Sequence, residues 1–289
     1  MANPKSMRDL DCIADRIRLN RQRDKRPVVI LEGPSDKRVL QRSFHDQHVS
    51  YFVAGTRNVA LDAATQLADW GEEYFTCVVD RDFDDVVAEA ASSNSSIHPY
   101  ENADLEAMLA ISKTGVDLIS ELGSSDKIEK FGGEAAVISR ILELVAPVTR
   151  LRRASIENDW RLAFDAVDLS AKIDKKRMKL KLQSYCISLH RESRRSPGPA
   201  VLEKYAVGDV PLKREPSCPC GSSPYFRGRD FLAVLSVALC AFCGSKRAQT
   251  VLPDSLEETL RLAGAYELRT TAWGAELLSL LQCKGTPGS

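Results

Sequence analysis

Three short apolar runs, each followed by a turn and a helix-forming stretch, constrain this chain more than any other feature. They are Val28 to Leu31, Tyr51 to Gly55 and Phe75 to Val79. β-Branched and aromatic residues bounded by turn formers favour strands in runs this short. Val28 to Leu31 is apolar throughout, as in a strand buried on both faces. Between the runs, Val39, Leu40 and Phe44 mark the buried side of one helix, which Ser35 or Asp36 can cap. Val59, Ala63, Leu67 and Trp70 mark a second helix, with Gly71 as its stop. Strands that alternate with helices over short connections predict a parallel sheet wrapped by helices, because parallel neighbours need crossovers.

Two of these strands end in acids. Glu32 closes the first, and the third runs out into Asp80-Arg81-Asp82-Phe83-Asp84-Asp85. Open α/β sheets place their sites at the carboxyl ends of the strands. Continued strand geometry would point Asp80 and Asp82 to the same side. Glu32, Asp80 and Asp82 on one sheet edge would form an oxygen-rich site suited to Mg²⁺ or Mn²⁺ rather than zinc. Such an ion polarises a phosphate, lowers the pKa of a bound water and stabilises a leaving oxygen, without a Ser, Cys or His nucleophile. The plainer reading is an acidic, solvated strand exit.

The 289 residues carry no net charge, which argues against a protein that coats nucleic acid by bulk charge. The balance hides an asymmetry. Residues 62–107 hold twelve acids and one arginine, and residues 150–195 hold thirteen Lys or Arg against six acids. The basic segment fits a phosphate-binding surface, with Arg152, Arg153, Lys175, Lys176, Arg177, Lys179 and Lys181 as its candidates. A solvated face or a dock for an acidic partner is the competing reading. The polar, basic stretch Met1 to Arg26 has no apolar signal-peptide core, and no run reaches the length of a membrane span. With eight cysteines and no secretory signal, reduced thiols in a cytoplasmic protein are expected.

Further on, Ser92 to Ser96 reads as a linker. Ile97 to Tyr100 reads as an edge-like strand, because Pro99 cannot donate to a central ladder. A helix is expected from Asn102 or Asp104. From Lys113 the pattern turns helical: Ala135 to Leu144, Trp160 to Leu169, Lys172 to His190 and Phe231 to Cys243, the last with Asp230 as N-cap. A helix pair around 255–263 and 272–281 closes the chain. Expected domains are a helical extension over 1–26, an α/β domain over 27–112 and a mainly helical domain over 113–289.

Glu-Gly after the first strand (Leu31-Glu32-Gly33), Gly after the second (Ala54-Gly55) and Asp-x-Asp after the third (Val79-Asp80-Arg81-Asp82) together resemble the TOPRIM pattern. Primases, type IA and II topoisomerases, recombination proteins and overcoming-lysogenization-defect nucleases share it. The match covers about residues 27–112 and implies a TOPRIM-like, Rossmann-like sheet. Four stretches are similar to the TOPRIM effectors of two-gene anti-phage systems of the PARIS type. They are Glu32-Gly33-Pro34-Ser35-Asp36-Lys37, Val79 to Asp84, Asn102-Ala103-Asp104-Leu105-Glu106 and Arg227-Gly228-Arg229-Asp230. There an ABC-type ATPase partner restrains a nuclease that cleaves tRNA once released. The resemblance implies Glu32 as metal ligand or general acid/base, and Asp80 and Asp82 as ligands. Asp84 and Glu106 match further acidic positions, with a turn-forming acid and a helix-dipole partner as their plain readings. Lys37 joins the phosphate-contacting candidates. Arg229 stands where the related effectors tend to carry His, which weakens a phosphate role there.

The expected function is therefore a metal-dependent nuclease acting on RNA such as tRNA. The alternatives are a DNA endonuclease or nickase of the overcoming-lysogenization-defect type and a non-catalytic module that binds nucleic acid or an ATPase. A homodimer is compatible with either. Cys218, Cys220, Cys240 and Cys243 could hold zinc, although buried thiols explain the helical pair as well.

Overall fold

Strands β1 (Val28–Leu31), β2 (Ser50–Val53) and β3 (Phe75–Val78) form a parallel sheet in the order β2-β1-β3. β1 is central and fully buried, as its unbroken apolar run requires. The structure is a computed structural model that describes residues 12–219, 221 and 224–283. The register pairs Leu31 with Val53 on one side and with Val78 on the other. The carboxyl ends of β1 and β3 are thus direct neighbours. Residues 97–100 continue the sheet beyond β3. Ile97 bridges Cys77 in parallel, His98 N–H donates to the Cys77 carbonyl at 2.8 Å, and Tyr100 N–H donates to the Val79 carbonyl at 3.1 Å. Pro99 interrupts the ladder, which keeps this segment from becoming a full strand.

The chain divides into two compact units. The first holds residues up to Arg81, then Asp85–Tyr100, and the chain from Gly264 onward. Around its sheet lie α1 (Ile13–Arg23), α2 (Pro34–Ser43), α3 (Arg57–Asp69), α4 (Val86–Ser93) and, from the far end of the sequence, α13 (Ala272–Cys283). Val28, Ile30, Phe75, Cys77 and Val79 point to one face and pack with Ile13, Ile17, Ala60, Ala64 and Leu67 of α1 and α3. Val29, Leu31 and Val78 alternate to the other face and are equally buried.

The second unit holds Asp82–Asp84 and Glu101–Ala263. Its helices are α5 (Leu105–Ala110), α6 (Lys113–Leu122), α7 (Ser125–Phe131), α8 (Glu134–Glu157), α9 (Leu182–Glu192), α10 (Pro199–Val207), α11 (Gly228–Val237) and the start of α12 (Pro253–Glu267). α8 is the spine, with α6, α7, α10 and α11 packed on it. It runs well past the expected end at Leu144. Pro147 removes one backbone donor, but Val148, Leu151 and Ala154 continue the buried stripe beyond it.

Asp82–Asp84 and residues 101–112 group with the helical unit, and α13 groups with the sheet unit. Several sequence expectations change within the second unit. Trp160 to Leu169 forms only a short 3₁₀ turn at Phe164–Ala166. The expected helix from Lys172 is first a two-stranded hairpin, β4 (Ile173–Asp174) and β5 (Lys179–Leu180), and becomes helical only at Leu182. Met178 is wholly buried with φ 45°, a conformation no helix contains. Asp230 sits inside the first turn of α11, whose N-cap is Arg227. Among the described residues, no helix is long and apolar enough to cross a membrane.

Candidate functional site

The sheet edge is built from the turn outward. Gly33 caps α2 with its backbone N–H bonded to Asp36 at 3.1 Å, and Pro34 opens the helix. This fixes Glu32 at the exit of β1, half-buried. Its Oε1 accepts the backbone N–H of Asp80 at 2.8 Å, so the first and third strand ends are joined by a side chain where the ladder stops. Arg81 then turns away: its Nε donates to the Tyr100 carbonyl at 2.5 Å, and its own carbonyl accepts from Arg57 at 3.3 Å. Burial of Cys77, with the Glu32 charge adding, pushes that thiol well above the ordinary range and keeps it protonated.

Past Arg81 the extended geometry ends. Asp82 takes a left-handed conformation, φ 50°, so strand alternation does not set the side to which its carboxylate points. Its N–H donates to the Ala103 carbonyl at 3.0 Å, and Tyr225 donates its hydroxyl to the Asp82 carbonyl. Phe83 is buried, edge-on to Tyr225 at 5.5 Å, and its carbonyl accepts from Arg153 at 2.9 Å. Asp82 (exposed) and Asp84 (half-buried) therefore flank an anchored aromatic in the second unit. Arg57 and Tyr225 were not singled out from the sequence. Both act on backbone carbonyls of the acidic turn from far along the chain, which no local pattern signals.

Glu106 is buried on α5 and ion-paired with Arg261, which also pairs with Glu257 at 3.0 Å. One guanidinium is thus shared by two carboxylates, Glu106 and Glu257. Asp104 caps α5 through Ala107 N–H at 2.8 Å and receives Gly228 N–H of α11 at 3.0 Å. Burial, with Glu106 beside it, pushes the Asp104 carboxyl far up.

The basic segment splits into two kinds of cation. Arg152 and Arg153 are internal. Arg152 makes a bidentate pair with Asp230 at 2.7 and 2.8 Å and lies over the Phe164 ring at 4.3 Å. Arg153 pairs with Glu157 at 2.9 Å and holds Phe83. Neither is presented as a surface phosphate contact. Lys175, Lys176, Arg177, Lys179 and Lys181 are exposed on and beside the hairpin. Its turn is hydrogen-bonded within the unit: the Asp174 carboxylate accepts the N–H groups of Lys176 and Arg177, each at 3.0 Å, and Arg140 donates to the Met178 carbonyl at 2.8 Å. Lys37, half-buried on α2, lies in the other unit. In the Arg227 to Asp230 turn, Arg227 pairs with Asp165 at 2.6 Å, Arg229 with Asp254 at 3.2 Å, and Asp230 with Arg152. That turn is a structural clamp.

Among the described residues, no group of three or more His, Cys, Asp or Glu side chains is gathered to hold a metal. Glu32 and Asp80 nevertheless offer hard oxygen donors on adjoining strand ends. Mg²⁺ commonly binds through one or two carboxylates plus waters and substrate phosphates. Two carboxyl groups suit such an ion only where outside ligands complete its shell, not as a closed protein cage. For zinc, Cys220 lies outside the described residues. The Cys218 thiol donates to the Glu101 carbonyl at 3.4 Å, and burial pushes Cys243 up to about 11, favouring the neutral thiol. No protein-family model matches the chain, and no curated protein does.

Proposed function

We propose that this chain is a metal-dependent nuclease on a TOPRIM-like sheet, the toxic effector of an ATPase-restrained anti-phage system, with RNA such as tRNA as its substrate. The observation that carries the reading is the bond between Asp80 and Glu32, which brings two acidic strand ends of the pattern together at the carboxyl edge of a parallel sheet. Glu32 and Asp80, both of the sheet unit, are the residues that would hold Mg²⁺ or Mn²⁺, and the resemblance gives Asp82 the same role. The ion would supply Lewis-acid polarisation of the phosphate and an acidified water. The chain's own residues do the rest. Glu32 is oriented by the Asp80 amide and can accept a proton from the attacking water. The Arg81 and Asp82 backbone is held by Arg57, Ala103 and Tyr225, which fixes the acidic turn. The exposed hairpin cations supply sequence-independent attraction to the phosphate backbone.

The test uses the full chain with Mg²⁺ or Mn²⁺, with and without chelator, on tRNA and on duplex DNA of similar length. Metal-dependent cutting of tRNA that Glu32→Gln and Asp80→Asn both abolish is the expected result. Equal cutting by both variants would remove these residues from the mechanism. Cutting confined to DNA would select the nickase alternative. If the isolated chain is silent, the same variants are compared for toxicity in cells, where co-expression of the ATPase partner is expected to suppress the wild type. Undiminished toxicity of Glu32→Gln would indicate a non-catalytic module.

A further inference from the structure

Within the second unit, a cavity of about 560 Å³ is lined by Arg161, Ala163, Glu192, Arg194 and Arg195. Its walls come from the segment after α8 and the connector after α9. They are tied to each other. The Asp159 carboxylate takes Arg161 Nε at 3.0 Å and Arg195 Nη1 at 2.8 Å, and Ala163 N–H donates to Ser193 Oγ at 2.9 Å. Asp159 and Arg161 are both left-handed, with φ 49° and 51°. Asp tolerates that conformation, but a long-chain residue such as Arg adopts it rarely, and such strain gathers at sites with a task. Arg191 pairs with Glu192 at 3.0 Å, while Arg194 has no ion pair among the described residues. Three arginines thus line the hollow with one acid, Glu192, and even with Asp159 bonded to two of them positive charge stays in excess.

We propose that this cavity is a binding site for the phosphodiester backbone of a nucleic acid, with Arg161, Arg194 and Arg195 as its contacts. Guanidinium forks match phosphate oxygens in pairs, which ammonium groups cannot do. The volume suits a nucleotide unit rather than a bare ion. An extended polyanion is favoured over a free nucleotide by the position of the hairpin. Lys179 and Lys181 precede α9 and Arg194 follows it, and eleven helical residues span about 16 Å at the helical rise. Cations at both ends of that helix track a strand of successive phosphates. This deepens the nuclease reading by naming a substrate contact, and it rests on that reading for its biological sense.

The experiment uses the full chain carrying Asp80→Asn, so that the probe survives. Fluorescence anisotropy follows a labelled RNA stem-loop across a salt series, with a nucleoside monophosphate as competitor. Arg194→Gln is expected to weaken binding about tenfold and to make the salt slope shallower by about 0.7–0.9, the share of one phosphate. The triple change Arg161→Gln, Arg194→Gln, Arg195→Gln is expected to cost about a hundredfold. Arg194→Gln leaves the Asp159 pairs in place, so it decides the matter should the triple variant misfold. Unchanged affinity and slope in Arg194→Gln would overturn the site. So would a site that takes the mononucleotide while RNA binding ignores the arginines. The two readings fail separately. A chain that never cuts, yet loses RNA affinity in these variants, keeps the site and loses the nuclease. A chain that cuts and binds normally without these arginines does the reverse.

Discussion

The backbone N–H of Asp80 donates to Glu32 Oε1 at 2.8 Å, joining residues 48 positions apart at the point where the β1–β3 ladder ends. One side chain thereby has two tasks. It completes the hydrogen bonding of the strand exit, and it carries a negative charge to the edge of the sheet.

Those tasks separate by substitution. Glu32→Gln keeps an oxygen for the Asp80 amide and removes the charge. It is expected to melt close to the wild type while nuclease activity falls by about 10²–10⁴, the usual worth of a lost acid/base group. Glu32→Ala also orphans the amide and should cost about 1–3 kcal/mol of stability. Denaturant unfolding beside a cleavage assay reads both. A Gln variant as active as the wild type would deny Glu32 any chemical role.

The hairpin offers the opposite contrast. Lys175, Lys176, Arg177 and Lys179 are exposed, and the turn is held by Asp174 and Met178 instead. Changing the four to Gln should leave stability within about 0.5 kcal/mol, as for most surface changes. RNA affinity should fall, with a salt slope shallower by about 0.7 for each phosphate that is no longer neutralised. A slope equal to that of the wild type would show that the hairpin does not meet the phosphates.

Arg152 belongs to the interior. Its side chain is 11% exposed and that of Asp230 is 10% exposed, and the pair links α8 to α11. Removing one partner strands a buried charge, so Arg152→Ala or Asp230→Ala should cost about 3–5 kcal/mol. The double change Arg152→Met with Asp230→Leu should recover most of it. Thermal melts of the three variants give the coupling. Additive losses would mean that the pair does not act as a unit.

What could be read from the sequence was what is local. The strands, the Glu32-Gly33-Pro34 turn and the edge segment broken by Pro99 follow from neighbouring residues, and the fold contains them. Asp82 escaped because period-two reasoning assumes that the strand continues, and its left-handed turn ends it. Arg152 and Arg153 escaped because a count of charges in a segment does not see a partner 78 residues away, nor the Phe83 carbonyl. The hairpin escaped because Met178 has the composition of a helix and the backbone of a turn. For Glu106 the sequence shows the acid but not its partner Arg261, which comes from a different helix.

His98 provides a pH test within the sheet unit. Its ring stacks on Trp273 at 5.0 Å, and its Nε2 donates to the Trp273 carbonyl at 3.2 Å, which holds α13 against the segment beside β3. Burial lowers its pKa, against the pull of the Trp273 carbonyl and Glu276. The folded state therefore prefers the neutral ring. The stability this supplies is present above about 6.5, the free value, and is lost as pH falls through the lowered folded value. His98→Phe keeps a stacking ring without the titration. Its stability, followed by Trp fluorescence in denaturant, should fall less than that of the wild type on acidification. Parallel pH profiles would place the acid sensitivity elsewhere.

Gly228 shows how tightly the second unit closes on its own acids. A Cβ there would lie 2.3 Å from Glu106 Cβ and 2.6 Å from the Ala107 nitrogen, closer than real Cβ atoms come to their neighbours. Its N–H also feeds the buried Asp104 carboxyl. Gly228→Ala must push α11 away from α5, strain the Asp104 bond and disturb Asp230 two residues on, where Arg152 is held. A loss of at least about 2–3 kcal/mol is expected, at the upper end for overpacking. Gly198 is the control. It caps α10 with φ −59°, and a Cβ there meets nothing within 4 Å, so Gly198→Ala should change stability by no more than about 0.5–1 kcal/mol, and upward if at all. Equal melting points for the two alanine variants would mean that the α5–α11 junction yields. Glu106 and Asp104 would then sit on a movable junction instead of a fixed one.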